Sequence, residues 1–356
     1  MLGEHSNSRV TLVSISNTTK LLYAKENPQV DADLLIRSRD CKEQHRKGLS
    51  EFYEMKKRLD PAFDRKCFVE AVQNKTNDGI LILTGLRNGH DYAKFLAGRP
   101  VLFILVNASD ESKKRRGWNG FVEGIDDSEN ERIEDRAQWD LTYTNGLDST
   151  RAKASSWVAD ELAPAIVKSS IRQICDSPEK GIVYKDIVGG LLTQPFGISL
   201  ATALIIRHIE REPARIDAVL APEALGFILA APVASALCLP LLIARKVAPV
   251  FGAFDKASSN GSNISKLART CEQEYETDSH HFFMMSGSVL PGQRILVVDD
   301  CLATGATLEA LGQLVDSQGG TITKFASLME MNHPDLKGRE VGRSIDVFSV
   351  TQFQGQ

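Results

Sequence analysis

One stretch holds residue types whose spacing could do chemistry: Arg294-Ile295-Leu296-Val297-Val298-Asp299-Asp300-Cys301-Leu302-Ala303-Thr304-Gly305-Ala306-Thr307-Leu308. Four apolar residues read as a strand buried on both faces, and two carboxylates, Asp299 and Asp300, are expected at its end. A short loop of small and hydroxylated residues follows. Leu308, Leu311 and Leu314 then share one face of a helix. Strand, loop and helix in this order present an anion site at the carboxyl edge of a parallel sheet. Ala303, Thr304, Gly305, Ala306 and Thr307 can wrap backbone N–H groups and two hydroxyls around a phosphate, with Gly305 free to take an unusual φ. The helix N-terminus adds about half a positive charge. Adjacent carboxylates would repel that phosphate, so they suit the vicinal hydroxyls of a ribose, or magnesium held through water. A ribose 5-phosphate would reach from one end to the other. The plainer reading is a strand end with solvated aspartates and a turn.

The elements that must position these groups belong to a chain of 356 residues, long enough for two domains and two cores. A net charge of −4, from 42 basic and 46 acidic residues, argues against a nucleic-acid partner. The six cysteines show no CxxC spacing and read as free thiols of a reducing compartment. Cys301 beside the acidic pair could be a nucleophile, but a small residue is all that position needs. Residues 1–10 lack an apolar signal region, and a cytoplasmic protein is expected. Residues 226–244 carry no charge over a length that could span a bilayer. Pro232 and Pro240 interrupt this run, and Asp217, Glu223, Arg245 and Lys246 bracket it. A strand, a loop, a buried helix and a second strand are expected there instead, with no membrane partner.

In the first half, residues 10–16 read as a strand and 20–25 as the start of a helix. Residues 39–58 are dense in charge, as on a solvated helix face. Residues 79–84 and 100–106 are buried-strand runs with a helix-sized segment between them, an alternation that indicates a parallel α/β sheet. A basic run, Lys113 to Arg116, and an acid-rich stretch, residues 126–136, follow. Cys41-Lys42-Glu43-Gln44-His45-Arg46, Lys57-Arg58-Leu59-Asp60-Pro61, Arg116-Gly117-Trp118, Ile125-Asp126-Asp127-Ser128-Glu129 and Thr144-Asn145-Gly146 resemble, in order and spacing, segments of animal-type phosphomevalonate kinase. The resemblance runs from residue 10 to about residue 165. It implies a P-loop fold, yet the sequence holds no GxxxxGK[ST], so no cradle for β- and γ-phosphates is apparent. Residue 10 aligns after that family's first strand, loop and helix, so the chain is expected to begin downstream of the cradle. This half is expected to be a truncated or non-catalytic kinase-like domain, residues 1–167, with Lys113–Arg116 either a lid or a solvated surface.

Residues 147–172 read as a bridging helix and Ser177 to Gly181 as a turn. The stretch 294–308 resembles the phosphoribosyl pyrophosphate signature of type I phosphoribosyltransferases. Gly181-Ile182-Val183-Tyr184-Lys185-Asp186-Ile187 is similar to a segment of adenine phosphoribosyltransferase. There the resemblance implies that Tyr184 stacks on a purine while the backbone of Val183 and Lys185 reads its edge; a tyrosine packed in a core is the alternative. Pro222-Glu223-Ala224-Leu225-Gly226-Phe227 resembles the family's pyrophosphate loop, with Leu225 where the family has arginine. Arg245 and Lys246 end a strand, match the family's Arg-Lys pair, and are expected to hold pyrophosphate, or else to be a basic surface. The family's next lysine is missing. Residues 251–281 read as a long polar loop, which the resemblance makes a closing lid. Glu274 and Tyr275 match its Glu-Tyr, and the glutamate would serve the proton of the base. His280 and His281 are expected to face solvent. Thr323 to Glu330 reads as a strand, and residues 336–340 and 346–349 resemble the family's last segments.

The expected fold is α/β: a type I phosphoribosyltransferase domain over residues 168–356, a parallel sheet flanked by helices, preceded by the truncated P-loop-kinase-like domain. The implied activity makes a nucleoside monophosphate and pyrophosphate from a purine base, adenine foremost, and phosphoribosyl pyrophosphate, with Mg2+ and as a homodimer. A second reading is a ligand-sensing regulator that binds phosphoribosyl pyrophosphate and turns over poorly. Leu225, the missing lysine and the kinase-like half without its cradle favour it.

Overall fold

The structure, a computed structural model, describes residues 10–72, 79–85, 101–118, 120, 139–177, 180–246, 254–257, 271–275, 278–333, 336, 338–341 and 345–354, with backbone alone at 254–257, 271–275, 278–281 and 341. The chain divides into two compact units, Met1–Trp157 and Val158–Gln356.

The first unit contains β1 (Val10–Ser14), α1 (Ser16–Glu26), α2 (Ala32–Arg37), α3 (Arg39–Gln44), α4 (Arg46–Leu59), α5 (Phe63–Val72), β2 (Ile80–Thr84), β3 (Ile104–Asn107), α6 (Asp110–Arg115), β4 (Leu141–Thr144) and α7 (Arg151–Trp157). Helix starts follow local chemistry. The Asp31 carboxylate accepts from the amides of Asp33 and Leu34 at 2.8 and 2.9 Å, capping α2. β1 pairs with β2 in parallel, and β3 with β4. The two strand runs near residues 80 and 104 therefore take different partners, and each described pair has only two strands. Neither run is buried on both faces: Ile82 and Val106 are exposed. A two-stranded pair cannot cover both of its faces, so an apolar run here signals a strand without signalling depth. The segment expected to be a helix between them and the acid-rich stretch at 126–136 lie outside the described residues. Of the basic run, Lys113–Arg115 form the last turn of α6 and Arg116 follows as its cap, with Lys113 and Arg115 paired to Asp110 and Glu111. Arg116 Nη2 donates to Asn145 Oδ1 at 2.8 Å and to the Gly146 carbonyl at 3.0 Å, joining two of the kinase-like segments.

The second unit begins with a π-helical turn (Val158–Leu162). It continues with α8 (Ala163–Ser170), β5 (Arg172–Cys175), β6 (Val183–Asp186), α9 (Gly197–Arg211), β7 (Ala218–Pro222), α10 (Leu225–Leu237), β8 (Leu241–Ala244), β9 (Phe254–Ala257), β10 (Cys271–Tyr275) and β11 (Asp278–Met285). β12 (Arg294–Leu302), α11 (Ala306–Ser317), β13 (Thr321–Asn332), α12 (Gly338–Val341) and β14 (Asp346–Gln354) complete it. Five strands pair in the order β14-β13-β12-β7-β8, every pairing parallel. β7 and the apolar part of β12 are buried throughout, as expected for strands covered on both faces. Val297, Leu311, Leu314 and Phe325 meet in one core, which is how α11 buries its leucine stripe.

Three expectations are corrected. β12 runs on to Leu302, so the acidic pair lies within the strand, because β13 supplies register partners as far as Leu302–Glu330. Residues 251–281 do not form one loop: β9 and β10 flank β11 in an antiparallel sheet, and the rest of the segment lies outside the described residues. The uncharged run 226–244 does form a helix and a strand after β7, but α10 is buried on one face only, with Ile228 exposed. Among the described residues no helix is long and apolar enough to cross a membrane.

Candidate functional site

The turns after β7, β8 and β12 all leave the carboxyl edge of the parallel sheet, because parallel strands end on the same side. The predicted residues Glu223, Ala224, Arg245, Lys246, Asp299, Asp300 and the 303–307 loop therefore share one edge. Gly226, at the start of α10, lets that helix sit close: a Cβ there would lie 2.8 Å from the Pro222 ring and 3.2 Å from the Val298 carbonyl.

In the loop, Gly305 has φ +85°, the left-handed conformation in which glycine avoids a Cβ clash. It precedes α11, whose first amides point into the loop. Thr304 Oγ1 accepts from the Ala306 amide at 3.3 Å, and the Glu309 amide donates to the Gly305 carbonyl at 2.9 Å. This turn has the backbone donors and the field of a 12-residue helix that an anion site needs.

Asp299 is buried while Asp300 is partly exposed, as alternation along a strand requires. Asp299 Oδ1 accepts from the Asp300 amide at 2.8 Å. Burial, and then the neighbouring Asp300 carboxylate, push the Asp299 carboxyl well above the usual range; the Lys246 charge acts against them. A carboxylate held this way gains from hydroxyl donors or a cation. Among the described residues no group of three acidic, histidine or cysteine side chains could enclose a metal. The donor set instead fits magnesium carried largely by substrate phosphates, with one or two carboxylates beside it. Burial and the acidic neighbours raise the Cys301 thiol far above its ordinary range, the opposite of what a thiolate nucleophile needs.

The second element expected to hold an anion is built from the turns after β7 and β8. The Lys246 amide donates to Glu223 Oε2 at 2.7 Å, and Arg245 Nε lies 4.0 Å from the same oxygen. Arg245 is pinned by its backbone, which exchanges hydrogen bonds of 2.8 and 2.7 Å with Phe283 of β11. Leu225, half-buried, opens α10 at the position where the resembled family has arginine.

Val183, Tyr184 and Lys185 lie on β6, which pairs with β5 as a separate antiparallel sheet. Tyr184 is 46% exposed, so it is not a core tyrosine. Lys185 Nζ stands 4.8 Å from the centre of the Phe353 ring, and its burial lowers the ammonium pKa. Sequence reasoning passed over Asp186. Its carboxylate accepts from the Gly189 amide at 2.8 Å and from Arg172 Nε at 2.9 Å, and these donors, the amide first, hold it below the usual carboxylate range. Asp186 thereby ties the hairpin bearing Tyr184 to the glycine turn. The signal available was its position between the aromatic residue and Gly189-Gly190, where a Cβ on Gly190 would lie 2.4 Å from the Ser170 carbonyl. The backbones of Glu274 and Tyr275 lie in β10, which packs against α11. Their side chains, and those of His280 and His281, lie outside what is described.

A phosphoribosyl transferase domain model matches residues 190–354, and a phosphomevalonate kinase model matches residues 1–99. The chain is 31% identical over 190 residues to an adenine phosphoribosyltransferase of Agathobacter rectalis, an alignment covering 53% of this chain and 98% of that protein. It is 33% identical over 187 residues to one of Clostridium botulinum, covering 52% and 98%. The crystal structure of adenine phosphoribosyltransferase from Thermoanaerobacter pseudethanolicus matches with a TM-score of 0.46 and 30% identity, over 53% of this chain and 99% of that one.

Proposed function

The chain belongs, through its carboxyl-terminal half, to the adenine phosphoribosyltransferase family, and from that premise we propose that it joins adenine to phosphoribosyl pyrophosphate, forming AMP and pyrophosphate. It is a pentosyltransferase of purine salvage. The observation that carries this reading is a buried carboxylate, Asp299, within a covered strand whose following loop passes through a left-handed Gly305 at a helix N-terminus.

In this reading the loop Ala303–Thr307 anchors the 5'-phosphate, and Asp299 and Asp300 accept from the ribose hydroxyls. Arg245 and Lys246 receive the pyrophosphate, with Glu223 and Ala224 in the same turn region. Tyr184 stacks on the base, the backbone of Val183 and Lys185 reads its edge, and Tyr275 lies beside Glu274. The base attacks the ribose carbon as the bond to pyrophosphate breaks, and Glu274 takes the proton that the base gives up. Positive charge grows on the sugar in this step, so a fixed carboxylate pair at the hydroxyls stabilises it. Magnesium, when bound with the substrate, offsets the charge of the pyrophosphate.

The proposed domains are a kinase-like one without its phosphate loop, residues 1–167, and the phosphoribosyltransferase domain, residues 168–356. They differ from the compact units over residues 158–167. A cytoplasmic homodimer completes the proposal. The second reading, a regulator that binds phosphoribosyl pyrophosphate and turns over poorly, rests on Leu225, the missing lysine and the kinase-like half without its phosphate cradle. Labelled phosphoribosyl pyrophosphate offered with a panel of purines and pyrimidines separates the two. The enzyme converts adenine to AMP with one pyrophosphate released per AMP. Binding without product from any base would favour the regulator.

A further inference from the structure

The loop that would anchor the 5'-phosphate is held at its first residue by groups far along the chain. Glu330, on β13, stands opposite Leu302 in the β12–β13 ladder, one residue before the loop. Its side chain is buried, with 4% of the residue exposed. A buried carboxylate needs a partner, and Glu330 has a forked one: Arg339 Nε and Nη2 donate to its two oxygens at 2.6 and 2.7 Å. Gln352 Nε2 adds a bond of 3.3 Å from β14. Arg339 follows Gly338 in α12, and the Gly338 amide donates to the Ala303 carbonyl at 3.0 Å. Gly338 is pressed against the loop: a Cβ there would lie 2.6 Å from the Ala303 oxygen and 2.9 Å from Leu302 Cγ. Within the loop, Thr304 Oγ1 accepts from the Ala306 amide, which shapes the turn.

We propose that the Glu330–Arg339 fork and the Gly338 amide form a strut that sets the phosphate loop against the end of β12, making these three positioning residues for phosphoribosyl pyrophosphate. The proposal rests on the reading of the loop as the 5'-phosphate anchor. The fork fixes where α12 lies on β13, and the Gly338 amide passes that position to Ala303. A displacement of a few tenths of an ångström at Ala303 moves the backbone donors of the loop together, while the hairpin that would bind the base belongs to a separate sheet. A staple that served folding alone would lower stability and leave the balance between the two substrates unchanged.

The test uses the full chain and measures AMP formation with phosphoribosyl pyrophosphate and adenine varied in turn, beside a melting curve for each variant. Gly338→Ala and Arg339→Ala are expected to raise KM for phosphoribosyl pyrophosphate about tenfold and to leave KM for adenine within about twofold, since small misplacements of binding groups cost that much or more. Arg339→Lys keeps the charge, loses the fork, and should recover part of the loss. Where Arg339→Ala fails to fold because Glu330 loses its charged partner, Gly338→Ala and Arg339→Lys decide the matter. Folded variants with native KM for phosphoribosyl pyrophosphate, or with both KM values raised alike, overturn the strut. An unsubstituted chain that neither makes AMP nor is stabilised by phosphoribosyl pyrophosphate overturns the reading of the site itself, and the strut with it.

Discussion

Two strand–turn–helix units in this chain invite comparison, β1–α1 in the first unit and β12–α11 in the second. Both end an apolar strand in a turn with hydroxyl side chains and start a helix. In β1–α1 the turn residue, Ile15, has φ −62° and caps with no side-chain bond. The hydroxyls of Ser14 and Ser16 bond each other at 3.1 Å, and the Lys20 ammonium donates to Asn17. In β12–α11 the turn passes through Gly305 at φ +85°, behind a buried carboxylate. The difference lies in depth and handedness. A left-handed residue swings successive amides to one side, where an anion can meet them, whereas a right-handed turn keeps its polar groups for itself. β12 lies inside five parallel strands, so its end is fixed, while Leu12 of β1 is 69% exposed in a pair of two. A hydroxyl-rich turn before a helix thus does not by itself carry the two features that distinguish the proposed phosphate loop.

The sharpest way to break this comparison is at the carboxylates. Asp299→Asn with Asp300→Asn removes two hydroxyl bonds to charged acceptors, each worth ~1.5–3 kcal/mol, so affinity for phosphoribosyl pyrophosphate should fall more than about tenfold. Ser14→Ala with Ser16→Ala should leave that affinity alone. Calorimetry on both double variants reads the contrast, and equal affinities would move the site away from β12. Next comes handedness. Gly305→Ala forces a Cβ into a left-handed backbone at a cost of ~1–2 kcal/mol, so both melting temperature and phosphoribosyl pyrophosphate affinity should drop. Ile15→Ala opens a cavity at a buried position and should lower the melting temperature while leaving that affinity as it was.

The pyrophosphate side should respond less. If Arg245 and Lys246 supply the charge that Leu225 lacks, Arg245→Ala with Lys246→Ala slows AMP formation about tenfold, a change of ~1.4 kcal/mol, and Leu225→Arg changes little. Slow native turnover that Leu225→Arg raises about tenfold would favour the regulator instead.

The smallest effects are expected at two aspartates, Asp217 beside the start of β12 and Asp299 within it, which shift in opposite directions. The Arg294 amide donates to Asp217 Oδ2 at 2.9 Å and, with Arg215, lowers its carboxyl pKa. Its stabilisation is present above the unfolded value of ~3.9 and is lost as pH falls through the folded value. Asp299 is raised, chiefly by burial, so its contribution is present below ~3.9 and is lost as pH rises through the folded value. Urea unfolding of the ligand-free chain across pH should therefore lose its acid-side slope in Asp217→Asn. In Asp299→Asn it should lose the decline toward neutral pH. Curves parallel to native in both would show that neither carboxyl differs between folded and unfolded chains.

The sequence by itself determined the local part of this site. An apolar run, an acidic pair, a glycine and leucines at helical spacing are contiguous, and each acts through its immediate neighbours, so strand, loop and α11 could be read at residues 294–317. The same holds for the strand character of residues 80–84 and, of the run 100–106, residues 104–106, and for the helix and strand within the uncharged run after β7. What the tertiary structure decided depends on residues distant in sequence. β12 continues through Asp299 and Asp300 because β13 offers partners as far as Glu330, and no local property of two aspartates announces that. β2 pairs with β1 across a long crossover, and the polar strands β9 and β10 are held by β11, so neither pairing has a local signature. The upward shift of Asp299 arises from packing on both faces of the sheet, and the Asp186 lock and the Glu330–Arg339 fork exist only where the backbone brings their partners within hydrogen-bond reach. Residue type carries the chemistry, but burial and partner distance, which set its strength, are properties of the assembled chain.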